Sequence, residues 1–386
     1  MERARPGCRG LGVALVGGLL LFTSACAAPD ASTPTVTIRE ASEVVAAPSI
    51  TQAPTTIGVE DSDLYSLPVE RVNRAFDLLN ATGITTVRLM VPWAGVQPTR
   101  DVYDWRLIDR MIDAAAAHGL TILATLNATP AWAATPGTPM LSGRPQSPAD
   151  FGRFAGAAAS RYRGKISAYE VWNEPNAAFF YAPGPDPVGF TALLKAAYPA
   201  IKAADSSVTV VTGGLAAIVD LDNVAMDAVK FVRGMYAAGA KNYFDALGYH
   251  PYQYTTKFSE RDHHRDSPAN QLDAIQHEMQ LNGDGAKKIW ATEYGQPASV
   301  AGEQGQAAYL ADMLRNWRRL PWAGPVYLYT MRDRDSSSRK AEDTLGLFRA
   351  DGTAKAAFEV VVAALGRNLP YTPPSNTPPP TDTRPR

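Results

Sequence analysis

The chain predicts an α/β fold, a single-domain (β/α)8 TIM barrel, on three observations. Eight short runs rich in β-branched and aromatic residues recur between 55 and 331, helical patterns separate them, and no linker-like composition breaks the body from 55 to 367. A strand that is always followed by a helix implies a parallel sheet, and eight such units imply closure into a barrel. The length of this body lies within the range of about 200 to over 400 residues that such barrels span.

In chain order the runs are TTIGVE (55–60), TTVRLMV (85–91), TILATLN (121–127), SAYEVWN (167–173), VTVVTGG (208–214), DALGYH (245–250), KIWATEY (288–294) and PVYLYTM (325–331). Between the second and third, RLIDRMIDAAAAHG carries apolar residues at 107, 108, 111 and 112, a helical spacing, and Gly119 stops it. Between the fourth and fifth, FTALLKAAYPAIKAA reads the same way. The fourth run has an unusual end: Tyr169, Val171 and Trp172 suit a packed sheet, whereas Pro175 cannot donate to a ladder and biases Glu174 toward extended geometry. The strand is expected to stop at Glu174, leaving a carboxylate at its mouth.

Outside the body, residues 1–25 read as an export signal, with Arg3, Arg5 and Arg9 before LGVALVGGLLLF and the small residues Ser24 and Ala25 after it. Cys26 directly after TSA stands where a bacterial lipoprotein is acylated, although Thr23 holds a position usually given to an aliphatic residue; ordinary secretion with cleavage nearby is the alternative. The chain is thus expected to be secreted or held at the cell surface, touching a membrane only through that lipid anchor. Residues 26–54, rich in Ala, Ser, Thr and Pro, read as a flexible linker, and 368–386 as a disordered Pro-rich tail. Cys8 falls within the signal, so one cysteine at most remains and no disulfide framework is possible.

With 386 residues, 46% hydrophobic and 19% charged, the composition is globular. The net charge is −1, or −3 once the signal takes Glu2, Arg3, Arg5 and Arg9 away, and no long Lys/Arg block occurs, which excludes the electrostatic footprint of nucleic-acid binding.

In a barrel of this kind the strand C-termini carry the chemistry. They present Glu60 and Asp61, Arg88 with Trp93, Asn127 with Trp132, Asn173 and Glu174, His250 and Tyr252, Glu293 and Tyr294, then Arg332 and Asp333. Glu174 and Glu293 close strands three apart around the ring and can face each other across the mouth. Two carboxylates in a water-limited cleft form the machinery of glycoside hydrolysis, in which one donates a proton to the leaving oxygen and the other attacks or activates water. Trp and Tyr faces suit the apolar surface of a sugar ring.

WNEP on the fourth strand and TEYG on the seventh resemble the retaining (β/α)8 glycosidases of glycoside hydrolase clan A, over nearly all of 55–367, including ATPAWA after strand three and LGLFRADGTAKAAFEVV after strand eight. Within the clan the chain is most similar to the family of β-xylosidases, α-L-iduronidases and exopolysaccharide glycosidases, with the cellulase-type family second. The resemblance implies Glu174 as acid/base, Glu293 as nucleophile, Asn173 on the sugar hydroxyl beside the anomeric carbon, Arg88 beneath the nucleophile, and His250 and Tyr252 of YHPY orienting the carboxylates. It implies a carbohydrate substrate, a monomer, and neither metal nor cofactor. Clan members usually end strand eight in a Trp; here YLYTMRDRD stands there, and Tyr329 or the nearby Trp322 takes its place. A non-catalytic polysaccharide-binding barrel and a transglycosylase are the rivals, and the latter shares every residue named.

Each candidate also has a plain structural reading. Glu174 alone could cap a turn, and His250 could be a satisfied rim histidine. Trp93, Trp132 and Trp172 could fill core, Trp172 between strand and helix, while Trp132 beside Pro130 is the one most suited to a sugar. AFFYAPGPDP (178–187) is an aromatic lip or a set of turns, His263 and His264 belong to a solvated loop, and RDRDSSSRK (332–340) pairs its own charges.

Overall fold

The computed structural model describes residues 47–261 and 266–367. The export signal, Cys26, most of the linker, His263, His264 and the Pro-rich tail lie outside the described residues. No helix among those described is long and apolar enough to cross a membrane.

Eight parallel strands close on themselves in sequence order: β1 (Ile57–Glu60), β2 (Thr86–Pro92), β3 (Thr121–Asn127), β4 (Ala168–Asn173), β5 (Thr209–Ala216), β6 (Ala246–His250), β7 (Lys288–Tyr294) and β8 (Ala323–Tyr329), with β8 pairing back to β1. The helices are α1 (Val69–Thr82), the single turn α2 (Trp93–Val96), α3 (Arg106–Ala117), α4 (Pro148–Arg161), α5 (Pro187–Ala204), α6 (Ala228–Ala237), α7 (Pro268–Leu281), α8 (Ala298–Trp317) and α9 (Ala356–Ala364). Three of them start alike: Ser147, Asp186 and Ser267 each accept a backbone N–H of the first turn, with Pro148, Pro187 and Pro268 following where no N–H is needed. In α3, Ile108, Met111 and Ile112 are buried while Leu107, counted in the apolar stripe, faces solvent.

The barrel interior is layered. Its lower layer is apolar: Leu123, Ala168, Val211, Ala246, Trp290 and Tyr327 fill it from alternate inward positions, and Ile50 plugs it from below. Gly58 on β1 leaves the space that the Tyr327 ring occupies, since a Cβ there would lie 2.6 Å from that ring. Part of the stretch read as linker is therefore structured, because Ile50 is buried and the Pro48 carbonyl accepts from Ser167 Oγ at 2.6 Å. A larger apolar cluster fills the space between strands and helices.

On β4 the in-out alternation breaks. Glu170 faces inward, Val171 and Trp172 both pack outward, and Asn173 faces inward again. Trp172 achieves this with φ 77°, and Glu174 follows at φ 43°, a left-handed conformation that costs a non-glycine residue about 1–3 kcal/mol. The extended geometry expected before Pro175 is thus not adopted, and the strand ends one residue early. Instead the Glu174 N–H bonds to the Gly214 carbonyl at 3.0 Å, and its own carbonyl accepts from Ala177. Ladder register also shifts along β5–β6 and β7–β8, on either side of the residues that form the site.

Candidate active site

Above the apolar layer the interior turns ionic around one buried guanidinium. Arg88 donates from Nε to Glu170 Oε2 at 2.7 Å, from Nη1 to Glu293 Oε1 at 2.7 Å and also to Glu60, and from Nη2 to Asn173 Oδ1 at 2.8 Å. All of these side chains are buried. Glu170 is held further by Thr125 Oγ1 at 2.7 Å and by the Gly214 N–H at 3.1 Å. Burial pushes Glu60 well above the usual carboxylate range, with Arg88 opposing and Glu293 adding to the rise.

At the mouth, one oxygen each of Glu174 and Glu293 and a ring nitrogen of His250 lie within 4.8 Å of one another. His250 Nδ1 is 2.9 Å from Glu174 Oε1, and Nε2 is 3.0 Å from Thr292 Oγ1. The Tyr252 hydroxyl donates to Glu293 Oε2 at 3.1 Å. Burial first, then the charge of Glu293, pushes Glu174 well above the usual carboxylate range, with Arg88 opposing. His250 is pushed down to about 3 by burial and by Arg88, so the imidazole is neutral. The spacing of the three ligand atoms would also suit a divalent cation. The guanidinium already seated on Glu293 supplies the positive charge that such an ion would bring.

Six candidates from the sequence converge here: Glu174, Glu293, Arg88, Asn173, His250 and Tyr252. Three do not join them in the same way. Trp93 is fully buried, stacked on Phe154 and edge-on to Trp132, so it fills the space behind strand two and does not reach the cleft. Trp132 is half-buried, its indole N–H bound to the Gln97 carbonyl at 2.9 Å and its face covered by Arg100 at 4.6 Å. Those contacts place it with Trp93, Gln97 and Arg100 and show none with the carboxylates. Tyr329 is buried in a patch with Tyr254, Leu345 and the half-buried Tyr252, beside the nucleophile side of the site. Trp322 precedes β8 and so lies at the opposite end of the barrel, where it cannot take the place of the missing Trp. Trp172 packs outward against Phe151 and Tyr181, the strand-to-helix role. In 178–187, Tyr181 and Ala182 are buried while Phe179 and Pro183 stand exposed, so the stretch is part packing and part surface turn. The 332–340 loop pairs largely with neighbours, Arg334 with Asp63 and the buried Asp333 with Lys355 at 2.7 Å.

Glu170, Thr292 and Gly214 were missed. A glutamate inside the apolar run AYEVWN and an arginine inside TVRLMV are charges at positions a sheet buries, and such charges need each other; that signal was available. Gly214 is the less obvious one. Its N–H serves Glu170, its carbonyl serves Glu174, and a Cβ in its place would overlap His250 Nε2.

A closed eight-stranded parallel barrel with two facing carboxylates at its C-terminal mouth defines the class, a (β/α)8 glycosidase. The chain belongs to the cellulase family, glycosyl hydrolase family 5, whose model matches residues 50–324, and it is an O-glycosyl hydrolase. Comparison with curated proteins returns no match. Among solved structures it is similar to a family 39 glycoside hydrolase from the gut symbiont Bacteroides cellulosilyticus WH2, with 22% identity over 83% of this chain and 66% of that one and a TM-score of 0.65. It is also similar to a GH5_18 structure from Streptomyces cattleya in complex with GlcNAc, with 18% identity over 84% of this chain and 83% of that one and a TM-score of 0.63. A monomeric β-xylosidase from Caulobacter crescentus CB15 shares 19% identity over 82% of this chain and 69% of that one, with a TM-score of 0.61. At these identities the likenesses speak to the fold. The family placed second from the sequence is the one whose model matches, and a family 39 enzyme stands among the structural relatives.

Proposed function

We propose that the chain cleaves O-glycosidic bonds of an oligo- or polysaccharide with retention, through a covalent glycosyl-enzyme. The approach of Glu174 and Glu293 to within 4.8 Å carries this reading, because retaining pairs stand about 5 to 5.5 Å apart and inverting pairs must leave room for a water. The donors around each carboxylate divide the roles. Two converge on Glu293, the Arg88 guanidinium and the Tyr252 hydroxyl, as suits a nucleophile that acts as an anion. Glu174 faces a neutral imidazole and a like charge, and burial keeps a proton on it.

In the first step Glu293 attacks the anomeric carbon while Glu174 passes its proton to the departing oxygen. In the second, Glu174 takes a proton from water, whose oxygen displaces Glu293. Arg88 and Asn173 hold each other beneath this centre, with Asn173 positioned toward the sugar hydroxyl beside the reacting carbon. An activated 2-fluoro glycoside should label the peptide carrying Glu293, and proton NMR of the first-formed product should show the starting anomer. An inverted anomer would refute the scheme.

The export signal, acylation at Cys26, a cell-surface location and a monomeric state complete the reading. They rest on the sequence pattern of residues 1–26 and on the resemblance.

A further inference from the structure

The charge of the barrel is divided between its two ends. The loops that lead up into β2–β8 and the residues after α9 carry seven Lys or Arg and three Asp, and the last turns of the helices add three cations and one acid. The described segments running from each strand to the next multi-turn helix carry the reverse, ten Lys or Arg against sixteen Asp or Glu. The end of the barrel opposite the active site is therefore a positive floor beneath a negative mouth. A net charge near zero hides this polarity, and no run in the sequence shows it, because the floor charges come from separate loops.

Several floor charges serve the fold. Lys202, Lys288 and Arg318 donate to backbone carbonyls, as cations near helix C-termini do, and Lys165 pairs with Asp113. The loop acids are withdrawn: Asp205 and Asp284 are buried, and the half-buried Asp245 is held by Lys202 and Tyr198. Four cations have no such task. Arg163, Lys241, Arg319 and Arg367 are exposed, and none makes an ion pair or a side-chain hydrogen bond among the described residues; the charge of Arg163 reaches Asp205 only at a distance. They stand on four different loops around the ring, and the loops into β2–β8 are only three to eight residues long, so the face is a low floor with its charge spread out.

Both ends of the described body leave from this floor. Ile50 plugs the barrel from below with Pro48 bonded to Ser167, and Arg367 lies over Gly83 at the end of α1. The 20 residues from 27 to 46 span at most about 70 Å, so a lipid at Cys26 would keep the floor near the bilayer. Anionic headgroups attract a basic surface by about fivefold in binding for each Lys or Arg that comes close, and they repel an acidic one.

We propose that the floor of the barrel docks on a membrane rich in anionic lipid, with Arg163, Lys241, Arg319 and Arg367 facing the headgroups and the mouth directed away from the bilayer. The active site then meets glycans that approach from the side opposite the membrane. Only that consequence rests on the glycosidase reading; the docking does not.

The test uses the full chain carrying Cys26→Ala, so that no acyl chain contributes, sedimented with vesicles of phosphatidylcholine alone or with about one third phosphatidylglycerol. Neutral vesicles give the baseline set by residues 1–25. The anionic vesicles should bind at least about 50-fold more tightly at low salt, and that gain should shrink as salt shortens the Debye length. Lys241→Gln with Arg319→Gln should lower the gain about 10- to 25-fold, and adding Arg163→Gln and Arg367→Gln should remove most of what is left. Arg339→Gln with Lys340→Gln takes the same charge from the mouth and should cost less than about twofold. Unchanged melting temperature and unchanged hydrolysis of a soluble aryl glycoside show that the floor variants fold. Orientation is read with a dye on Asn242→Cys at the floor or Asn223→Cys at the mouth, each with Cys8→Ser; spin-labelled lipid should quench the first alone. Equal binding to both vesicles, equal losses from the floor and mouth pairs, or quenching at the mouth overturns the proposal. Capture by soluble polyphosphate with no gain on anionic vesicles also overturns it, and gives the floor to an anionic polymer. Docking without hydrolysis of any glycoside refutes the glycosidase reading and leaves the docking standing.

Discussion

Glu174→Gln isolates the acid role because glutamine keeps the length of the side chain and an oxygen that His250 Nδ1, 2.9 Å away, can still bond. The fold should be little disturbed, and a carboxyl that burial and Glu293 hold above its usual range is replaced by a group that never ionises. What disappears is the transferable proton. General acid catalysis contributes about 10² to 10⁴ in rate, or about 2.7 to 5.4 kcal/mol at 1.36 kcal/mol per decade. That full loss is expected on an unactivated glycoside. On an aryl glycoside with a good leaving group the first step needs no proton, so aglycone release should survive as a burst. The slow phase after it reports the second step, now without its base. The measurement is stopped-flow release of the phenol beside steady-state turnover of the unactivated sugar, with melting temperature as the control for folding. Equal losses on both substrates, with melting unchanged, would refute the assignment of Glu174.

Tyr252→Phe removes one donor from Glu293 Oε2 and should lower kcat/KM about 10- to 100-fold with little change in melting temperature. Gly214→Ala puts a Cβ onto His250 Nε2 and Thr292 Oγ1, so it should cost about 1–3 kcal/mol in urea denaturation and reduce kcat as the ring shifts from Glu174. Activity should fall on the alkaline side as Glu174 loses its proton, at a pH above the usual carboxylate range, and Glu174→Gln on the aryl substrate should lack that limb; His250, held near 3, should add none at its usual value of about 6.5. Stability should decline from pH 5 to pH 8. Asp61, raised by burial and Asp63, and Glu342, raised by burial and Glu293, both reach about 7; a raised group stabilises below its unfolded value and loses that contribution as pH climbs through its folded one. The lowered aspartates, such as Asp109 and Asp205, lose theirs only on the acid side of the ordinary carboxylate range, outside this window, so a urea midpoint that rises toward pH 8 contradicts this balance. Cys26→Ala should move the chain from the membrane pellet to the soluble fraction; no shift means Cys26 carries no anchor.

The strands were legible because each is a short apolar run ended by Gly, Pro or a polar pair, and all eight appear within two residues of their expected starts. The carboxylates were legible for a related reason: a charge at the end of a buried strand has few structural excuses. Trp93 misled because end-of-strand position says nothing about whether the next residue turns into the cleft or behind it, and here the single turn α2 sends it behind. Ile50 was hidden in linker-like composition, since one apolar residue closing a barrel from below leaves no periodic trace. Glu342 and Tyr254 sit on loops whose tertiary placement no local pattern encodes. The break at Trp172 was masked by the strength of the β signal around it, where Pro175 pointed to an extended Glu174 and the Gly214 carbonyl outbid that preference.

The costly features of this molecule are concentrated at one end. A buried network of Arg88 with Glu60, Glu170 and Glu293 contributes less than a well-packed apolar layer would, and left-handed backbone at Trp172 and Glu174 adds strain. At the other end, Leu123, Val211, Trp290, Tyr327 and Ile50 pack without a charged side chain among them. Removing any one partner of the network would leave an uncompensated buried charge, so the carboxylates are held in place by the penalty for rearranging as much as by attraction. That answers why a lone arginine lies in the middle of strand two. It ties three strands to the nucleophile through one rigid planar group, and a lysine, a point charge on a flexible stem, could not fix Glu170, Glu293 and Asn173 at once.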